Sequence, residues 1–164
     1  MKAFLMLTEG PSISEERVFQ PRCADFLDRV YASFAKQAFM ATLGAQIDEV
    51  RPGHVVLSLP FSDALKQQHG FHHAGATTSV LDSACGYAAY SLMDRDASVV
   101  TVEFKVNLLA PAKGAAFQFI GQVIRPGRTL SVCEGRAFAV DGGSRTLIAT
   151  MSATMMAVPM SHGA

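Results

Sequence analysis

Gln67-Gln68-His69-Gly70-Phe71-His72-His73-Ala74-Gly75-Ala76-Thr77-Thr78-Ser79-Val80-Leu81-Asp82-Ser83-Ala84-Cys85-Gly86-Tyr87-Ala88-Ala89-Tyr90 begins with amide and imidazole side chains and passes into small and apolar residues. Its composition predicts a helix from about Ala74 to Leu92. Ala74, Gly75, Ala76, Ala84, Gly86, Ala88 and Ala89 keep that helix thin, so a curved sheet can wrap it closely. One acid, Asp82, interrupts a helix otherwise made for burial.

The segments on either side supply such a sheet. Upstream, Phe26, Val30, Phe34 and Phe39 fall near helical spacing, predicting a helix from about Pro21 to Thr42 with Gly44 as its stop. Ala45–Val50 and His54–Phe61 read as two short strands around Pro52-Gly53. Downstream, Val100, Val102, Phe104, Val106 and Leu108 alternate with Thr101, Glu103, Lys105 and Asn107, the period of a strand with one buried face. Turn signals at Pro111–Gly114, Arg125–Arg128 and Asp141–Ser144 separate three further strands, near Ala115–Ile124, Thr129–Val140 and Arg145–Val158. These four strands are expected to form an antiparallel meander.

The whole chain of 164 residues suits one domain, read as residues 13–164, behind a loosely held tail at 1–12. Fourteen basic and fourteen acidic residues cancel without local clustering, which argues against nucleic-acid binding. No run reaches the roughly 20 apolar residues of a membrane span. The N-terminal apolar stretch is too short for a signal core, and the expected location is cytoplasmic. Cys23, Cys85 and Cys133 are odd in number and widely spaced in apolar surroundings, so they read as reduced core residues rather than a disulfide framework.

An unpaired carboxylate in apolar surroundings costs several kcal/mol. Asp82 therefore lies on a solvent-facing stripe, bonds to Thr78 or Ser79, or serves chemistry. Two neighbours favour chemistry. The backbone N–H groups of Ala74 and Gly75 would emerge from the positive end of the helix, where an oxyanion can develop. Thr101 offers a hydroxyl that can hold water beside a carboxylate. Asp82 follows Ala74 by eight residues, which is about 12 Å along a helix, whereas a water attacking a carbonyl must sit within roughly 3 Å of its base. One chain can hardly supply both parts of one site. Two antiparallel helices about a twofold axis can, which predicts a dimer with paired composite sites.

The pattern Gln67, His73, Ala74, Gly75, Asp82, followed by TVEFKVNLLAPAKG from Thr101 and by Gly127-Arg128, resembles the hotdog-fold acyl-CoA thioesterases. The nearest branch is the PaaI-like one of phenylacetate degradation. The resemblance covers about residues 25–157. It implies an α+β hotdog fold, a curved antiparallel sheet around a long central helix, and homodimers that pair again into homotetramers in many members. It implies an acyl-CoA substrate and no cofactor. The Ala74 N–H would polarise the thioester carbonyl with help from the Gln67 amide. His73 and Gly75 would shape the substrate end of the helix. Asp82 from the other chain would act as general base or nucleophile, with Thr101 orienting water. Gly127 and Arg128 would lie near the nucleotide of CoA. Ala74 replaces the first glycine of the usual His-Gly-Gly, but alanine still supplies the N–H. Gln67 stands where the branch commonly has Asn, and Gln68 is an alternative occupant of that position.

Other readings compete at several positions. His69, His72 and His73 lack regular metal-ligand spacing and a nearby Cys or Glu, so they read as capping or loop-packing residues rather than a metal site. Cys85 reads as a buried thiol rather than a nucleophile. Arg128 fits an exposed turn as well as a phosphate contact. Phe71, Tyr87, Tyr90 and Phe104 would line an aryl pocket or pack the core. Met151, Met155, Met156 and Met160 suit strand packing or an acyl tunnel. A non-catalytic acyl-CoA binder on the same fold is the alternative function. A hotdog hydratase would need a paired Asp and His in a G-D-x-N-P-x-H-like segment, which this sequence lacks.

Overall fold

A computed structural model describes residues 18–160; the expected tail at 1–12 lies outside them. Two short helices come first, α1 (Phe26–Phe34) and α2 (Ala38–Leu43). Sequence periodicity predicts one helix here, but the chain breaks at Ala35–Gln37 and restarts. Gly44 ends α2 in the left-handed region with φ 82°, where its missing Cβ avoids strain.

Strands β1 (Gln46–Arg51) and β2 (His54–Pro60) form a hairpin. The central helix α3 runs from Ala74 to Tyr90. Strands β3 (Ala97–Leu108), β4 (Ala116–Arg125), β5 (Leu130–Asp141) and β6 (Ser144–Pro159) complete one sheet, ordered β1-β2-β4-β5-β6-β3. Every pairing is antiparallel and the sheet stays open. This is the hotdog architecture. The four-strand meander is corrected in one respect. Only β4, β5 and β6 follow one another; β3 crosses to the far edge and pairs with β6.

α3 packs against β2, β3, β4, β5 and β6. Its thinness is matched by glycine in the sheet. A Cβ at Gly121 would lie 2.2 Å from the Ala84 carbonyl carbon, and one at Gly135 would meet Leu81 at 2.9 Å. Val80, Leu81, Ala84, Cys85 and Ala88 are fully buried against Leu57, Phe119 and Met155. Cys85 and Cys133 are buried free thiols, and burial raises the pKa of both, Cys133 to about 12. Met151 and Met155 also belong to the core, while Met160 is exposed.

β3 departs from simple alternation. Its register against β6 shifts between Thr101 and Glu103, leaving Val102 in a bulge. Residues directly opposite share a face. Thr101 faces the side of buried Met155, and Phe104 and Val106 face the side of buried Ala153 and Met151. One extra residue thus puts Thr101 and Val106 on the same face despite their odd spacing. Because β3 is an edge, Val102 (52% exposed) and Phe104 (43%) remain open rather than covered. Among the described residues, no helix is long and apolar enough to cross a membrane.

Candidate active site

His73 is the N-cap of α3, and its Nδ1 accepts a 2.8 Å hydrogen bond from the Gly75 N–H. Glycine at 75 permits this, because a Cβ there would lie 2.9 Å from that nitrogen. Sequence alone offers both Ala74 and Gly75 as donors. In the fold Gly75 is committed to the cap, and the Ala74 N–H meets no acceptor among the described residues. The loop before the helix is tied down by Gly70 N–H to the Gln67 carbonyl (3.0 Å) and Gln67 N–H to the Phe71 carbonyl (2.8 Å). The Gln67 side-chain oxygen accepts from the His69 N–H.

Gln67 and Ala74 line one cavity of about 240 Å³, whose other walls include Phe71, Leu108, Pro111 and Ile148. Gln68 is exposed and does not line it. His72 and Thr77 stand in the same wall, 3% and 2% exposed. His72 stacks on Phe117 with ring centroids 4.3 Å apart. Among the described residues, neither of its ring nitrogens, nor the Thr77 hydroxyl, has a hydrogen-bond partner. Burial, with a smaller contribution from neighbouring His73, lowers the pKa of His72 to about 4, so it is neutral at physiological pH. His73 and Gly75 face a second cavity, shared with Phe39, Lys66 and Ser79.

Asp82 lies elsewhere. It is half-buried and borders a polar cleft of about 90 Å³ with Gln37, Ser83, Gly86, Tyr87 and Thr101. The Thr101 hydroxyl donates to Asp82 Oδ1 at 2.9 Å. Burial raises the Asp82 pKa, and the Thr101 hydrogen bond partly opposes it. Tyr87 packs in the core, edge-on to Phe34 at 5.5 Å, and its hydroxyl lies 3.3 Å from Ser33 Oγ.

Within one chain the structure therefore brings Gln67 to Ala74 and Asp82 to Thr101, but keeps the two pairs in different cavities. Gly127 and Arg128 lie apart from both. Arg22 bonds the Gly127 carbonyl (3.3 Å) and Asp94 (3.0 Å), placing this turn near the C-terminal end of α3. That end is about 25 Å from Ala74 along a helix of 17 residues. A Cβ at Gly127 would lie 2.1 Å from the Leu130 carbonyl oxygen, so the turn itself requires glycine. Sequence reasoning did not bring Gln37 to Asp82, because its approach is purely tertiary. Gly86 carried a signal, since an offset of four residues from Asp82 puts it on the same helix face.

Comparison with known proteins identifies the family. A family model described as the thioesterase superfamily matches residues 69–146. The crystal structure of a thioesterase family protein from Silicibacter pomeroyi is 55% identical, covers 82% of this chain and 98% of its own, and superposes with a TM-score of 0.81. The chain belongs to the thioesterase superfamily. A curated relative from Saccharolobus solfataricus, provisionally named an esterase, is 30% identical over 100 residues, spanning 61% of this chain and 71% of its own length. The E. coli PaaI protein of the phenylacetic acid degradation operon shares the fold at 18% identity, covering 84% of this chain and 96% of its own, with a TM-score of 0.74. For this thioesterase-superfamily chain, membership supports thioester hydrolysis as the general chemistry.

Proposed function

We propose that the protein hydrolyses acyl-CoA thioesters at sites built from two chains. The observation that carries this reading is the separation of the two half-sites. Thr101 belongs to the edge strand β3 and bonds Asp82, while Ala74 and Gln67 line a different cavity of the same chain. A twofold partner arriving along β3 would set its α3 antiparallel to this one, Asp82 facing the other chain's Ala74.

In this arrangement the thioester carbonyl accepts from the Ala74 N–H, with the Gln67 amide beside it. Asp82 takes a proton from water as the water oxygen bonds to the carbonyl carbon. The tetrahedral intermediate then expels CoA as thiolate, which recovers the proton from Asp82. Thr101, whose proton is committed to Asp82, offers its oxygen lone pairs to the same water. His73 and Gly75 hold the helix start, and Gly127 with Arg128 lies toward the nucleotide end of CoA. The cavity beside Ala74 and Gln67, walled by Phe71, Leu108, Pro111 and Ile148, offers the acyl group an apolar seat. The Asp82 carboxylate is protonated and restored within each cycle.

Release of free CoA, followed with a thiol reagent across short, aryl, medium and long acyl-CoAs, tests the reading. Turnover of at least one acyl-CoA that is lost in Asp82→Ala is expected. Binding of acyl-CoA without turnover would instead identify a non-catalytic binder on this fold.

A further inference from the structure

We propose that His72 and Thr77 are specificity residues that read a hydroxyl on the acyl group, several bonds beyond the thioester carbonyl. This rests on the acyl-CoA hydrolysis reading above. The cavity that holds Gln67 and Ala74 is otherwise apolar, and His72 and Thr77 stand in its wall, each almost wholly buried. Thr77 follows Ala74 by three residues, so it lies on the same face of α3, about 4.5 Å further along the axis. An acyl group whose carbonyl accepts from the Ala74 N–H, and whose body fills the cavity, runs past it.

Neither side chain is satisfied by its surroundings. Ser79, two residues on along α3, donates its hydroxyl to the Gly75 carbonyl four residues back at 2.8 Å, the usual outlet for a helical hydroxyl. Thr77 does not use the equivalent His73 carbonyl, and its Oγ1 meets no partner among the described residues. The His72 N–H is held by the Ala112 carbonyl (3.0 Å) and its ring by Phe117, yet both ring nitrogens are idle among those residues. Each such group costs about 1–3 kcal/mol while unpaired. In the empty cavity these atoms are shut off from water, and Thr77 can turn to a second helical rotamer as a ligand enters. A neutral imidazole offers one N–H and one lone pair, and a threonine hydroxyl offers both roles. A substrate hydroxyl can therefore donate to one of the two residues and accept from the other. A carboxylate could only accept, and its charge would be stranded in a wall that holds no cation at neutral pH.

The test compares kcat/KM for matched substrates, butanoyl-CoA against its terminally hydroxylated form and benzoyl-CoA against its meta-hydroxylated form. The hydroxylated member of at least one pair is expected to lead by about tenfold or more. Thr77→Val keeps the branched shape and His72→Phe keeps a flat ring on Phe117, but both remove the hydrogen-bonding atoms. Each should bring the ratio close to unity, whereas Thr77→Ser should retain it. Because the ratio is read within each variant, a general loss of activity cancels. A wild-type ratio near unity for both pairs, or a preference that survives in both Thr77→Val and His72→Phe, overturns the proposal. A wild-type chain that cleaves no thioester would sink the hydrolysis reading instead. Calorimetric binding of the same pairs then decides: tighter binding of a hydroxylated form, lost in Thr77→Val, supports the assignment, and no preference or no binding overturns it. A crystal structure of Asp82→Asn with the preferred acyl-CoA, in which water rather than the acyl hydroxyl meets Thr77 and His72, also overturns it.

Discussion

Thr101 Oγ1 donates to Asp82 Oδ1 at 2.9 Å, across nineteen positions of sequence and from an edge strand to the central helix. That bond favours the ionised carboxylate against the burial that disfavours it. Thr101→Val removes it, so the Asp82 pKa rises further. The acid limb of the kcat profile should move to higher pH, and kcat on the plateau should fall about tenfold through loss of water orientation. A profile that keeps its acid limb in place would refute the role of Thr101.

Asp82 also links activity to stability with opposite signs. Its folded pKa lies above the unfolded one, so the native chain binds the proton more tightly. Its stabilising contribution is full below the ordinary aspartate range and is lost as pH rises through the window up to the raised value. At neutral pH the charged form is a cost retained for function. Asp82→Asn should lower kcat by about 100-fold or more and raise the melting temperature. Calorimetry at pH 7 beside the CoA-release assay measures both.

His72 makes the fold acid-sensitive. Its pKa falls from 6.5 to about 4 because the buried ring cannot be protonated without leaving a charge among apolar neighbours. The unfolded chain therefore takes the proton first. Stability from this group is whole above about pH 6.5 and drains as pH falls toward 4, by up to about 3 kcal/mol. Urea unfolding at pH 7 and pH 4.5 should show a smaller pH difference for His72→Phe than for the wild type.

The Thr77 hydroxyl is buried without a partner among the described residues, a situation that costs about 1–3 kcal/mol. Thr77→Val keeps the branched shape and removes the orphan group. The expected gain is about 1 kcal/mol in denaturant unfolding. A destabilised Thr77→Val would mean that the hydroxyl is satisfied in the assembled protein.

A composite site can be tested by mixing chains. Asp82→Asn homodimers lack the acid at both sites, and Gln67→Ala homodimers have both clamps impaired. If Asp82 serves the other chain's clamp, exchange into heterodimers restores one site that carries neither change. Activity above the sum of the separate variants is the expected result. A site contained in one chain would give no recovery, and sedimentation showing only monomer at micromolar concentration would exclude the arrangement altogether.

Much of the fold was legible because local signals agreed. The period of two and the turn residues located β4, β5 and β6 to within about a residue of their observed ends. The small residues of Ala74–Tyr90 announced a helix with a sheet packed closely on it, which Gly121 and Gly135 complete from the other side. The break at Ala35–Gln37 was not legible, since the apolar spacing continues across it. The place of β3 was hidden for another reason. Strand order is set by which edges bury apolar area together, and adjacency in sequence does not dictate it.

Local periodicity and the fixed helical rise were enough for the element types, the thin central helix and the distance along α3 that separates Asp82 from Ala74, and the motif around His73 and Asp82 was enough for the family. The folded chain was needed to give the Gly75 N–H to His73, to seat Gln67 rather than Gln68 in the cavity with Ala74, and to turn Thr101 toward Asp82. Each depends on where a side chain meets a partner distant in the fold or in a loop. For Thr101 the inward turn is set by β3 pairing with β6 at the sheet edge and switching its pattern of facing at the bulge around Val102.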